Sequence, residues 1–298
     1  MKVVCFQVKE KPNQIKLGIL DQALIRVFDL PIQTSQQGVL ALIDIQVRGG
    51  STPRFIEEIP ADKVELLAPI PRPRRNIFCV GLNYKPHAKE FTQSGFDAGK
   101  STGSNDLPSD PIIFSKVPET VVGPFDKVRL PNPEVSQSVD YEAELAVIIR
   151  KTCKNLRVED AMDAVWGYTI INDITARDWQ HRHKQWHMGK SFDDFCPMGP
   201  AAVTKESIDG QNLSIRCWVN GELRQDSRTS ELIFDIPTLI STLSAGITLL
   251  PGDIIATGTP VGVGIGFHPP KFLRAGDRVK VAVEGIGEIE NELILASS

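Results

Sequence analysis

Tyr141-Glu142-Ala143-Glu144-Leu145-Ala146-Val147-Ile148-Ile149 decides the fold of this chain, because it reads as a strand buried on both faces. A strand with one solvated face would return to polar residues at Ala146 and Ile148, and this one does not. On a strand, residues i and i+2 project to the same side, so Glu142 and Glu144 point together. Two carboxylates so placed repel each other unless positive charge lies between them, and a hard divalent cation is a natural partner. A second apolar run, Gly167-Tyr168-Thr169-Ile170-Ile171-Asn172, ends in Asp173, a third carboxylate at a strand mouth. Three oxygen donors grouped in this way would hold Mg²⁺ or Mn²⁺ and leave positions open for a substrate. The competing reading is a Glu-x-Glu pair on the solvated face of an edge strand, which needs no ion. The apolar flank argues for the metal-dependent enzyme, since charges at the mouth of a buried strand need partners.

Working outward, residues 111–115, 143–150, 167–172, 213–219, 253–257, 278–284 and 287–294 read as strands, as does 76–82. Helices are few. One is expected over 158–165 and another over 235–245, with Asp235 as N-cap and Gly246 as the stop. Asn220-Gly221 and Ala275-Gly276-Asp277 are turn signals between the late strands. There is no internal repeat and no regular βαβ alternation, which disfavours Rossmann and TIM architectures. The expected fold is mainly β with short helices (α+β), a mixed β roll. Within the first 70 residues, Lys16–Leu20 and Val39–Ile43 both read as β-like. Pro69-Ile70-Pro71-Arg72-Pro73 reads as a stiff connector, giving a small N-terminal domain at 1–70 and a catalytic domain at 71–298. Residues 93–110, rich in Gly, Ser and Asp, read as a long loop of the kind that serves as a lid.

Composition narrows the function classes. The chain has 298 residues, 41% of them hydrophobic, and a net charge of −4. Mean hydropathy is −0.11 and the pI about 5.8. This balance argues against nucleic acid or an anionic membrane as the main partner. The cluster Arg72-Pro73-Arg74-Arg75 is expected to be a solvated linker. No apolar run approaches the ~18 residues of a membrane span. The start, Met1-Lys2-Val3-Val4-Cys5-Phe6, lacks signal-peptide anatomy. Five scattered cysteines without CxxC spacing fit reduced structural thiols, and a cytoplasmic location is expected.

Several motifs together resemble the fumarylacetoacetate hydrolase family. They are Gly81-Leu82-Asn83-Tyr84-Lys85-Pro86-His87-Ala88-Lys89-Glu90, Asp140-Tyr141-Glu142-Ala143-Glu144-Leu145 and Asn172-Asp173-Ile174-Thr175-Ala176-Arg177-Asp178. Gly189-Lys190-Ser191-Phe192-Asp193, Cys196-Pro197-Met198-Gly199-Pro200, Pro251-Gly252-Asp253 and Gly258-Thr259-Pro260 follow in order. Ala176 to Gln180 and the tail from Gly262 to Pro270 most resemble the subgroup of the fumarylacetoacetate hydrolase domain-containing protein 2 type. The resemblance implies a β-roll catalytic domain, a homodimer, and a bound Mg²⁺, Mn²⁺ or Ca²⁺. It implies action on a small β-diketo or 2-oxo acid. Hydrolysis of a C–C bond in acylpyruvate- or fumarylacetoacetate-like substrates, through a metal-chelated enolate, is the family default. Hydrolysis is the main expectation; the subgroup likeness pulls towards an oxaloacetate keto–enol tautomerase, the close alternative, with decarboxylation a further use of the same site. A non-catalytic metal-binding β roll is the rival outside enzymology.

Residue by residue, the resemblance makes Glu142, Glu144 and Asp173 the metal ligands, in agreement with the strand pattern. It places Lys190 beside the ion and gives Tyr84, Gln180 and Thr259 contacts with substrate. His87 and Glu90 are the acid–base pair: three residues apart on a helical turn they share one face, and the carboxylate can orient the imidazole. Taken alone, such a pair also fits a surface ion pair. His181, His183 and His187 resemble a metal cluster, but interleaved Arg182 and Lys184 point to a solvated basic rim. The glycines from 258 to 266 mimic a nucleotide loop, yet Pro260, Pro269 and Pro270 deny it the helix that would bind phosphate. Ser191 lacks the Gly-x-Ser-x-Gly elbow of a serine hydrolase.

Overall fold

The computed structural model describes residues 1–93 and 107–296. Of the loop read at 93–110, residues 94–106 lie outside the described residues. Ala143–Ile149 is a strand at the heart of a large sheet, antiparallel to Val165–Asn172 on one side and to Ile254–Ala256 on the other. Every residue of it is buried. Ala143, Leu145, Val147 and Ile149 enter one core, shared with Ile215, Cys217 and Val281. Ala146 and Ile148 enter a second core, shared with Leu40, Ile43, Ile77 and Met198. Two cores, one on each face, are why the apolar run shows no alternation. At ~1.5–3 kcal/mol for each large apolar side chain removed from water, this strand is an expensive one to displace.

From that centre the sheet continues through Val165–Asn172 to Cys196–Thr204, Lys2–Val8, Lys11–Asp21, Leu24–Phe28 and Phe55–Pro60. In the other direction it passes through Ile254–Ala256 to Ile77–Gly81, a parallel pairing, and then to Ile112–Lys116. A five-stranded sheet of Glu222–Arg228, Ser214–Val219, Arg278–Val283, Gly287–Leu295 and Val128–Leu130 covers the first core. The fold is the expected one, mostly β with a few short helices. The Asn220-Gly221 hairpin has both residues at positive φ, 52° and 80°, as a tight turn of right-handed twist demands. Asp235 caps the Ile236–Gly246 helix by accepting from Thr238 N–H, and Gly246 is the last helical residue.

Two local expectations are corrected. Val39–Ile43 is not a strand: it opens the α-helix Val39–Val47, with all five residues buried. Five consecutive apolar residues carry neither the period of a strand nor that of a helix, so the pattern was silent. Over 158–165 the chain forms a 3₁₀ helix, Val158–Ala164, rather than an α-helix. The arginine cluster is also more engaged than a solvated linker. Arg75 Nε donates to Asp253 Oδ1 at 2.7 Å and Nη2 to Thr248 O at 2.9 Å, while Arg74 Nη2 donates to Asp44 Oδ2 at 2.5 Å.

Candidate active site

The end of the central ladder brings the acids together. Asp173 follows the last residue of Val165–Asn172, Glu142 precedes the first of Ala143–Ile149, and Asp173 N–H donates to Glu142 O at 2.8 Å. Glu144, two residues on, lies on the same side, and its Oε2 accepts Gly258 N–H at 2.8 Å. Carboxylate oxygens of Glu142, Glu144 and Asp173 lie within 4.8 Å of one another, and all three residues are buried. Among the described residues, this is the one group of His, Cys, Asp and Glu close enough to hold an ion. His181 and His183 are exposed, as a basic rim requires, and the ring Nδ1 of His187 is bonded to Ser115 O at 2.9 Å.

Three buried cations serve the acids. Lys190 Nζ donates to Glu142 Oε2 at 2.7 Å and to Asp173 Oδ2 at 2.8 Å. Lys116, with no exposed surface, donates to Asp173 Oδ1 at 2.7 Å, to Ile174 O at 3.2 Å and to Lys190 O. Arg177 donates through Nε to Asp140 Oδ2 at 2.9 Å and through Nη1 to Gln180 Oε1 at 3.2 Å. Its Nη2 stands 2.7 Å from Glu142 Oε1. Asp140 in turn gathers the N–H groups of Gly264 at 2.6 Å and Ile265 at 3.1 Å, tying the 262–266 loop to the site.

The carboxylates do not share these charges equally. Desolvation pushes the Glu142 carboxyl up, but Lys190, then Arg177 and His87, outweigh it and hold it low. Glu144 has no ion-pair partner among the described residues. Burial first, then the charges of Asp173 and Glu142, push its carboxyl well above the usual range. Lys190 and Arg177 lose charge stability to burial and regain more from their acid partners, so both remain protonated. A divalent ion fits this donor set: hard oxygens, closely grouped, buried, with one carboxylate lacking countercharge.

Above the acids is a small cleft that opens to solvent. His87, Glu142, Arg177, Gln180, Lys190 and Thr259 supply its polar lining, and Val80, Leu82, Phe114 and Trp186 its apolar wall. His87 rides on the helix Lys85–Gln93, and its Nδ1 stands 3.1 Å from Glu90 Oε2. Glu90 also accepts Gly262 N–H, at 3.0 and 3.2 Å to its two oxygens. Thr259 Oγ1 accepts from Gln225 Nε2 at 2.8 Å, which fixes its rotamer. Leu82 reaches the cleft from a left-handed backbone, φ 53°, beside Asn83, whose side chain is bonded to Phe234 and Thr257. A leucine at positive φ is an uncommon, strained conformation of the kind that collects at functional sites.

Of the residues singled out from sequence, His87, Glu142, Gln180, Lys190 and Thr259 line the cleft, with Glu144 and Asp173 beside Glu142 and Glu90 behind His87. Tyr84 is not in the cleft lining, and its buried hydroxyl has no hydrogen-bond partner among the described residues. Sequence reasoning did not find Lys116 or Asp140, nor the role of Arg177. The only available signal for Lys116 was a lysine closing the apolar strand Ile112-Ile113-Phe114-Ser115.

The sequence model of the fumarylacetoacetate (FAA) hydrolase C-terminal family matches residues 76–294. Oxaloacetate tautomerase YisK of Bacillus subtilis (strain 168) is 52% identical over 232 residues, 78% of this chain and 73% of that protein. Mitochondrial oxaloacetate tautomerase FAHD2A of Homo sapiens is 46% identical over 239 residues, 79% of this chain and 71% of that protein. Among solved structures, maleylpyruvate hydrolase from Sphingobium sp. SYK-6, in complex with manganese(II) and pyruvate, superposes with a TM-score of 0.74 at 29% identity, covering the whole of both chains.

Proposed function

The chain belongs to the fumarylacetoacetate hydrolase family, and from that premise we propose that it is a divalent-metal-dependent oxaloacetate keto–enol tautomerase. The observation that carries the choice of reaction is its likeness, over most of its length, to oxaloacetate tautomerases. C–C hydrolysis, the broad family default, has support at the level of the family and of its hydrolase structures.

Tautomerisation moves one proton between C3 and the C2 oxygen of the 2-oxo acid. His87 is the group positioned for it: its Nδ1 faces Glu90, so Nε2 is the ring nitrogen that would take the proton at C3 or return it. Glu90 holds that tautomer and favours the imidazolium that forms. Arg177, held by Asp140, Gln180 and Glu142, is a fixed positive charge in the cleft lining that would draw a substrate carboxylate towards it. Lys190 places a second fixed positive charge beside the developing oxyanion, and low local dielectric strengthens both. Glu142, Glu144 and Asp173 would hold the divalent ion, whose chemistry is to stabilise negative charge on the substrate oxygen as C3 loses its proton. The apolar wall of Val80, Leu82, Phe114 and Trp186 limits water at the reacting carbon. The proposed active species is a homodimer, as the family resemblance implies.

The test follows the enol absorbance of oxaloacetate with added Mg²⁺ or Mn²⁺, while pyruvate and CO₂ are measured in parallel. The expected result is faster keto–enol relaxation without release of either product, lost in chelator and in His87→Ala. Comparable turnover of acylpyruvates to pyruvate, with no effect on oxaloacetate relaxation, would return the assignment to hydrolysis.

A further inference from the structure

The His87–Glu90 pair does not stand on its helix alone. Glu90 is clasped from the opposite side by the 262–266 loop, and the two glycines of that clasp differ in kind. Gly262 sits at φ 106°, and a Cβ there would run into the backbone carbonyl of Arg224. Glycine is required at 262 by the fold itself. Gly266 is outside the left-handed region, so its backbone makes no such demand. A Cβ at 266 would nonetheless overlap the side chain of Glu90 at Oε1, Cδ and Cγ, of which the farthest, Cγ, would lie only 2.5 Å away. Those three atoms of Glu90 are its nearest neighbours; no backbone atom is among them. They are the movable end of a flexible side chain.

We infer that Gly266 is a positioning residue for the proton-transfer pair: its bare Cα makes the niche in which the Glu90 carboxylate can face His87 and accept Gly262 N–H at once. The inference rests on the reading of His87 and Glu90 as that pair. A methyl group at 266 would meet the side chain of Glu90 first and would swing the carboxylate out of the niche, at the cost of its bonds to His87 and Gly262 N–H. The imidazole would then keep its place on the helix and lose its orienting partner. The loop after Pro260 thereby sets the reactivity of the histidine through the carboxylate that it holds.

The experiment is a double-mutant cycle with Gly266→Ala, Glu90→Ala and the pair together, assayed on oxaloacetate at saturating Mg²⁺ with thermal unfolding in parallel. Gly266→Ala should lower kcat by ~100-fold, the low end of what a positioned acid–base group supplies. Its KM should stay within about twofold, and its Tm should fall no further than that of Glu90→Ala, which loses the same bonds. In the Glu90→Ala background the same substitution should change kcat by less than about twofold, because nothing is left to displace. Unchanged kcat in Gly266→Ala, an equal loss in both backgrounds, or failure to fold in both overturns the inference. Should Gly266→Ala alone fail to fold while the double variant folds, the clash with Glu90 is supported directly. If Glu90→Ala itself retains full kcat, the proton-transfer reading falls instead, and the two failures are told apart.

Discussion

Lys116→Met removes a buried ammonium and leaves a side chain of similar length, so its cost can be worked from the contacts. Lys116 has no exposed surface and donates to Asp173 Oδ1, Ile174 O and Lys190 O. Breaking a buried ion pair from one side costs ~3–5 kcal/mol, because the remaining charge stays buried. Asp173 keeps Lys190 on its other oxygen at 2.8 Å, which places the cost at the lower end, ~3 kcal/mol. With ~2.1 cal/mol/K of unfolding entropy per residue, 298 residues give ~0.6 kcal/mol/K, and Tm should fall by ~5 °C. The loss of the Lys190 carbonyl contact would also loosen the residue whose Nζ bridges Glu142 and Asp173. Calorimetry on the chelator-treated variant, beside turnover of oxaloacetate, is the assay. A Tm within ~1 °C of the parent would refute the reasoning, since it would mean that Asp173 and the two carbonyls find other donors at no cost.

Two further outcomes are expected. Mg²⁺ or Mn²⁺ at about a hundredfold over its dissociation constant should stabilise chelator-stripped protein by ~2.7 kcal/mol, and Glu144→Ala should abolish most of that gain, as read by the ion-induced shift in Tm. Burial pushes the thiols of Cys5 and Cys196 up to about 12, so at pH 8 only ~1 in 10⁴ of either is thiolate. Since all five cysteines are free and buried, a thiol reagent should find almost none in the native protein and five after denaturation, and prompt native labelling of Cys5 or Cys196 would contradict the burial argument.

What the sequence disclosed and what it hid divide along physical lines. The ligand strand was legible because two features coincide in nine residues: an apolar run too unbroken for a surface strand and two acids at the period of a strand. His87 and Glu90 were legible as a pair because a helix brings residues three apart onto one face. Val39–Ile43 was not, since burial on all sides erases the period that separates helix from strand. Lys116 was hidden for another reason. Its partners Asp173 and Lys190 are 57 and 74 residues away in the chain, and no local spacing encodes a pairing made by strand order. Arg75 and Asp253 are hidden likewise, 178 residues apart, and only the fold turns a proline-rich basic stretch into a clamp on a buried acid.

The acids stand on the innermost paired strands or one residue beyond their ends, whereas Leu82, Gln180, Trp186 and Thr259 come from turns and short helices around the rim. Evolution is thus handed a workbench with a fixed vice and interchangeable jaws. Insertions or exchanges in the rim can retool the scaffold for a new carbon skeleton while the grip beneath is left untouched, because sheet and loops answer to separate constraints. Divergence in such a scaffold should be sought first in its turns.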